Sequence, residues 1–172
     1  MMQQQHLIHN QFVSLFKNEA DTKIIMDTVL ARIQQLQDLG LVDAHLRRHY
    51  SMKEANSGES FSILLLTFCT DVSTVFVKMD AVLNDNEVDY RYLNEDCIKL
   101  EGYARGIGAL RLMSACLDLH QASKICSKDW CLRSLNEAKS EYASLKIHID
   151  AILQLEWATL SDAEKAQVYD AF

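Results

Sequence analysis

The 172-residue chain contains no proline and only five glycines. Nothing in it therefore forces a helix to break, which points to long uninterrupted helices. There is no run of about eighteen apolar residues, so neither a transmembrane helix nor a membrane partner is expected. The opening Met1-Met2-Gln3-Gln4-Gln5-His6 lacks the basic flank and apolar stretch of a signal peptide. Basic residues are the minority, 17 against 24 acidic, for a net charge of −7. That balance argues against nucleic acid, whose phosphates need a basic surface to release counterions. The five cysteines, Cys69, Cys97, Cys116, Cys126 and Cys131, are odd in number and show no close metal-type pairing. Reduced thiols in an intracellular protein are the simplest reading, with no metal and no cofactor expected. What the chain does have is 49% hydrophobic residues. That argues against disorder, and the length suits one domain with a real core.

The second half reads as four consecutive amphipathic helices. Leu65, Phe68, Val72, Val75, Met79 and Val82 advance in steps of three and four, as a helix with one buried face requires. Asn84-Asp85-Asn86 supplies a turn. Leu93, Cys97, Leu100, Ala104 and Ile107 form the next series, and Gly108 a break. A third series, Ala109, Leu112, Cys116 and His120, ends before Ser127-Lys128-Asp129. The last runs Leu135, Ala138, Tyr142, Leu145, Ile149 and Ile152. Short links between such helices favour antiparallel neighbours, so the fold class is all-α, an antiparallel four-helix bundle. Upstream, a helix is expected from Asp21 to Asp38, with Ile25, Val29, Ile33 and Leu36 inward and Gly40 as its stop. A shorter one precedes it around Leu7, Phe12 and Phe16. Ala55-Asn56-Ser57-Gly58-Glu59-Ser60 reads as loop, and Ser161-Asp162-Ala163-Glu164 has the form of a capping box opening a small terminal helix.

One feature of the second bundle helix stands apart. Residues turn by roughly 100° each, so with Leu93 at zero the apolar stripe falls within about 40° while Ile98 falls near 140°. Arg91, Asn94, Glu101, Gly102 and Arg105 share that solvent side. An apolar β-branched residue thus sits among polar neighbours, with Gly102 and Gly106 following. Each glycine costs about 1 kcal/mol relative to alanine inside a helix. A frayed helix end near Gly108 would explain this. So would a bare stretch of backbone that lets a partner approach closely. Periodicity does not choose between them.

The segment Val88-Asp89-Tyr90-Arg91-Tyr92-Leu93-Asn94-Glu95-Asp96-Cys97-Ile98-Lys99-Leu100-Glu101-Gly102 resembles the active-site helix of plant histidine-containing phosphotransfer proteins. That helix carries histidine, glutamine, leucine, lysine and glycine, then serines, then an aliphatic residue, glycine and alanine. Leu100, Gly102, Ile107, Gly108 and Ala109 keep this frame without a gap and put Ile98 where the phosphoacceptor histidine belongs. Gln34-Gln35-Leu36-Gln37-Asp38 resembles the family's signature on the helix before the bundle. Phe61 to Leu83 and Leu132 to Leu155 are similar to its first and last bundle helices. The resemblance runs from about Met26 to Leu155 and is weakest from Gly40 to Ser60, where this chain is longer. It implies a single domain: N-terminal helices in 1–40, a variable insertion or loop in 41–60, the bundle in 61–157 and a tail in 158–172.

The resemblance also implies a phosphorelay role. Family members take phosphate from receiver domains of hybrid histidine kinases and deliver it to receivers of response regulators, chiefly in cytokinin signalling. Transfer needs a nucleophilic ring nitrogen, and isoleucine has no lone pair. The lysine three residues after the acceptor is Glu101 here, and the serine run becomes Tyr103-Ala104-Arg105-Gly106. The expectation is a phosphotransfer-like protein without the acceptor histidine, not an enzyme. It would be a cytoplasmic and nuclear monomer that binds receivers without relaying phosphate, and so a negative regulator. The expected partner-binding residues are Arg91, Asn94, Ile98, Lys99, Glu101, Gly102 and Arg105. The alternative is a scaffold that has left receivers behind and uses the Gly40 to Ser60 region or other surfaces.

Other candidates read more simply. His120 falls on the inward stripe as a core or boundary residue. His45 and His49, four apart, could share a helical face toward zinc, yet no third ligand is evident. His6 and His9 lie near the terminus, and His148 sits beside a core stripe. The cysteines fall mostly on apolar stripes, as small hydrophobes. Trp130 and Trp157 bracket the last long helix as packing residues. Glu101 is either a solvated helix charge or a carboxylate facing a receiver's acidic, magnesium-binding pocket, with Lys99 and Arg105 near enough to offset it.

Overall fold

The computed structural model describes residues 19–55, 61–159 and 165–166. The short helix expected around Leu7, the loop residues 56–60 and the capping box at 161–164 lie outside them. Among the described residues there are six helices and no strand. In chain order they are α1 (Glu19–Asp38), α2 (Ala44–Ala55), α3 (Phe61–Asn84), α4 (Tyr90–Ile107), α5 (Leu110–Lys124) and α6 (Lys128–Thr159). Helices α3 to α6 are the four expected from the periodicity. Their links span only residues 85–89, 108–109 and 125–127, so successive helices must run antiparallel. In the bundle, α4 and α6 flank both α3 and α5; α1 lies along α6, and α2 touches α1, α3 and α4.

The core is made of the residues that the stripes single out. Leu65, Val72 and Met79 from α3 are buried, as are Leu93, Cys97, Leu100 and Ala104 from α4. Leu112, Cys116 and Leu119 from α5 join Leu135, Ala138, Leu145, Ile149 and Ile152 from α6. Each fully buried leucine or isoleucine contributes about 1.5–3 kcal/mol relative to exposure. Between helices, Lys139 donates to both carboxylate oxygens of Asp80 at 2.5 and 2.6 Å, and Arg111 to Glu141 at 2.8 Å. These pairs are partly exposed and worth about 1 kcal/mol or less each, so burial holds the bundle together.

Two expectations need correction. Residues 41–60 are not simply a variable loop: α2 occupies 44–55. Leu46 and Tyr50, four apart, are 0% and 1% exposed, and Tyr50 meets Phe61 edge to face at 5.0 Å between ring centroids. Two anchors among His45, Arg47, Arg48, His49 and Lys53 leave too thin a stripe for periodicity to register. The second concerns α3. Counting consecutive apolar residues overlooks that this helix, 24 residues with a window of mean hydropathy 1.6, is long and apolar enough to cross a membrane. In this fold its apolar stripe, from Phe61 through Leu65, Phe68, Val72 and Met79 to Leu83, is turned into the bundle.

The expected stop at Gly40 is present. Gly40 has φ +65, its N–H donates to Gln37 O at 2.9 Å, and Leu41 N–H donates to Leu36 O at 3.0 Å. This is a Schellman ending, in which a left-handed residue satisfies the last carbonyls. Gln34, from the signature stretch, accepts from Arg47 Nη1 at 2.7 Å and donates to Asp38 at 2.9 Å, tying α2 to α1.

Candidate functional site

Helix α4 is defined at both ends. Asp89 caps its start, accepting from the N–H groups of Arg91 at 3.0 Å and Tyr92 at 3.1 Å, which satisfies two otherwise orphaned donors. Its end is a second Schellman motif. Gly108 has φ +72, its N–H donates to Arg105 O at 3.1 Å, and Ala109 N–H donates to Ala104 O at 2.8 Å. Gly108 O accepts from Asp43 N–H at 2.8 Å. A Cβ there would lie 1.9 Å from Asp43 Oδ1. Glycine is therefore required both for backbone conformation and for contact. The helix runs unbroken to Ile107, so Gly102 is an interior position and Gly106 lies in a last turn closed by Gly108, and fraying does not account for them.

Ile98 is 54% exposed on the outer face of α4. Gly102 and Gly106 follow one and two turns later, both exposed, and an added Cβ at either would meet nothing within 4 Å. The result is an isoleucine beside two turns of bare backbone. Such a strip lets another surface approach the helix axis more closely than any side chain would allow. Arg91, Lys99 and Arg105 are exposed around it. The carbonyl of Gly106, left over by the helix end, accepts from His49 Nε2 of α2 at 3.1 Å.

Lys99 and Arg105 are each paired with a carboxylate of the same helix, and two expected members lie off this face. Glu101 is only 18% exposed: Arg105 donates to it at 2.5 Å, and His120 Nδ1 of α5 is 3.8 Å from its other oxygen. Asn94 is half-buried and accepts from Ser123 of α5 at 3.4 Å. Both were expected on the solvent side with Ile98. At about 80° and 100° from Leu93 they stand at the stripe's margin, and α5 covers that margin. Lys99, 46% exposed, donates to the fully buried Asp96 at 2.9 Å and stands 6.0 Å from the centroid of Tyr92. The hydrogen bond to Asp96 and that carboxylate's charge hold the Lys99 ammonium above its usual pKa.

Sequence reasoning missed two contacts: Asp96 anchors Lys99, and His120 lies against Glu101. A signal existed for Asp96, an acid on the edge of an apolar stripe three residues before a lysine, the i,i+3 spacing of a helical ion pair. His120 does sit at the boundary, 15% exposed, with Nε2 buried and lacking a hydrogen-bond partner among the described residues. His45 and His49 do not converge. His45 Nδ1 turns back to Asp43 at 2.8 Å while His49 reaches Gly106. Among the described residues no group of three His, Cys, Asp or Glu could hold a metal ion. Burial would raise the Asp43 carboxyl, but hydrogen bonds from His45 and the nearby Arg48 bring it below the usual range. Cys97, Cys116 and Cys131 are buried; Cys126 is exposed.

Among the described residues, six helices and a half-exposed isoleucine on the outer face of α4 define the class: an all-α helical bundle. No family model matches the chain. A solved histidine-containing phosphotransfer protein from maize superposes with a TM-score of 0.74 at 21% identity, covering 79% of this chain and 99% of that one. Histidine-containing phosphotransfer protein 1 of Oryza sativa subsp. japonica is 22% identical over 126 residues, 73% of this chain and 86% of its own length. Pseudo histidine-containing phosphotransfer protein 6 of Arabidopsis thaliana is 25% identical over 133 residues, 77% of this chain and 76% of its own. The fold is that of the plant histidine-containing phosphotransfer proteins, and the sequence similarities are to proteins of that kind.

Proposed function

We propose that this protein binds the receiver domains of hybrid histidine kinases and response regulators without accepting phosphate, and so damps a cytokinin-type relay. The observation that carries the reading is Ile98, exposed on α4 at the place where the resemblance puts the acceptor histidine. A receiver that settles there meets a hydrocarbon with no lone pair to attack an aspartyl phosphate. The bare backbone at Gly102 and Gly106 supports close docking. The pairing of Glu101 with Arg105 removes the main electrostatic objection, because the carboxylate facing α5 no longer presents an isolated charge to an acidic pocket. Lys99, beside Ile98, offers a cation in its place. In this reading the protein acts as a monomer, without cofactor or metal, in the cytoplasm and nucleus.

The test is a titration against a panel of receiver domains. Binding on the order of micromolar is expected, with Ile98→Arg weakening it at least about tenfold, or 1.4 kcal/mol. No binding to any receiver would remove the proposal. A second reading, a scaffold working through α2, has one observation in its favour: an open groove of about 460 Å³ lined by Ala44, Arg47, Arg48, Ser51 and Met52. It gains ground if Arg47→Glu with Arg48→Glu abolishes partner capture while Ile98→Arg leaves it intact.

A further inference from the structure

Among the described residues, three helix ends close with a residue in the left-handed conformation. At α1 and α4 it is glycine, Gly40 with φ +65 and Gly108 with φ +72. At α5 it is Cys126, with φ 55. The hydrogen bonds there are of the same Schellman kind: Cys126 N–H donates to Ser123 O at 3.1 Å and Ser127 N–H to Ala122 O at 3.2 Å. A side chain in this conformation crowds its own carbonyl, so a cysteine stands where glycine would be more stable.

The next helix explains what that cysteine is near. Ser127 caps α6: its carbonyl accepts from Cys131 N–H at 2.9 Å, and its Oγ accepts from Trp130 N–H at 3.4 Å. Cys126 therefore precedes the cap and Cys131 is the fourth residue inside the helix. These are the two positions whose side chains meet in a hydrophobic staple. Here both carry thiols, one exposed and one buried. After burial itself, the neighbouring Cys126 is the largest influence holding the Cys131 thiol up, at about 11.

We infer that Cys126 and Cys131 form an oxidisable staple, an intramolecular thiol pair that a peroxide converts to a disulfide across the start of α6. Cys126, in solvent, meets the oxidant. Its sulfur attacks one peroxide oxygen, breaking the O–O bond and giving a sulfenic acid and water. The Cys131 sulfur then displaces the hydroxyl from the Cys126 sulfur, and its proton leaves with that hydroxyl as a second water. In sum, two thiols and one hydrogen peroxide give one disulfide and two waters. Opening of the first turn of α6 brings the buried thiol out, and helix ends are where such opening is easiest.

The experiment is oxidation of the full chain with hydrogen peroxide, blocking of residual thiols with iodoacetamide, and tryptic digestion without reductant. Lys128 lies between the two cysteines, so the disulfide joins two separate peptides, Ile125–Lys128 and Asp129–Arg133. That linked pair, two hydrogens lighter than its parts and released by a thiol reductant, is the expected product. Cys126→Gly, which suits the backbone, should fold normally and lose it. Sulfinic acid on Cys126 with Cys131 still alkylatable after unfolding, or a cross-link between two chains, would overturn the inference.

Discussion

Replacing each of four glycines by alanine separates fold from interface, because the same methyl group meets four different surroundings. At Gly102 and Gly106 it enters open space inside a helix. The unfolded chain loses freedom and the helix gains a better former, so each variant should be stabilised by about 0.5–1 kcal/mol. At Gly40, φ is +65 with open space around the new methyl. Only the left-handed backbone counts against it, about 1–2 kcal/mol. At Gly108 the same backbone cost applies, and the methyl also lands 1.9 Å from Asp43 Oδ1 and 2.6 Å from its Cγ. Asp43 must then leave the N–H of His45, which it accepts at 2.7 Å. Losing such a cap costs about 1 kcal/mol, so the total is about 2–3 kcal/mol. Urea denaturation followed by circular dichroism reads all four. If Gly108→Ala falls within about 0.5 kcal/mol of Gly40→Ala, the Asp43 contact is not structural and the reasoning fails. Receiver titration supplies the second axis. Gly102→Ala and Gly106→Ala should weaken binding even as they strengthen the fold, by about tenfold if the methyl blocks close approach. Stability and affinity moving in the same direction would place the docking surface elsewhere.

Other expectations follow from the same geometry. Glu101→Lys should tighten receiver binding several-fold, about 1 kcal/mol, by releasing Arg105 and adding a cation, and more so at low salt; unchanged affinity means that this flank of α4 does not face the receiver's acidic pocket. Alkaline stability should fall early. Burial pushes the Cys97 and Cys116 thiols up to about 12 from an ordinary 9. The folded state thus holds those protons more tightly than the unfolded chain, so this stability is complete below pH 9 and declines as pH rises towards 12. Urea midpoints measured from pH 8 to 11 should drop, and Cys97→Ala should flatten the drop; an equal decline in that variant would assign it to other groups.

The bundle was legible because its helices obey one rule. Leu93, Cys97, Leu100, Ala104 and Ile107 recur at helical spacing, and all five are buried. Helix α2 escaped notice because only Leu46 and Tyr50 mark its inner face, and their burial depends on Phe61 and the core, which local pattern does not reveal. The exposure of Ile98 could be computed from angle alone. The inward turn of Glu101 could not, since a long side chain at the stripe's margin goes wherever its partners are, and His120 lies 19 residues further along the chain. The bare strip was half visible: both glycines were evident in the sequence, but their lying inside the helix depends on the Gly108 ending and its contact with Asp43.

If position 98 is the acceptor position, as proposed, its place on α4 also accounts for how relay chemistry and fold can part company. A residue near 140° from the buried stripe contributes almost nothing to the core, so exchanging imidazole for a branched hydrocarbon there leaves Leu93, Cys97 and Leu100 packed as before. Surface substitutions of this kind usually change stability by no more than about 0.5 kcal/mol. The chemistry, by contrast, rests wholly on one nitrogen. Under the proposed function, position 98 is therefore the place on α4 where a single change removes relay chemistry at the least structural cost, and a docking face around it would be under no energetic obligation to follow. What Gly102 and Gly106 do cost the helix, about 1 kcal/mol each, buys nothing for the fold. Their presence beside Ile98 is what the proposed docking surface would use for close contact.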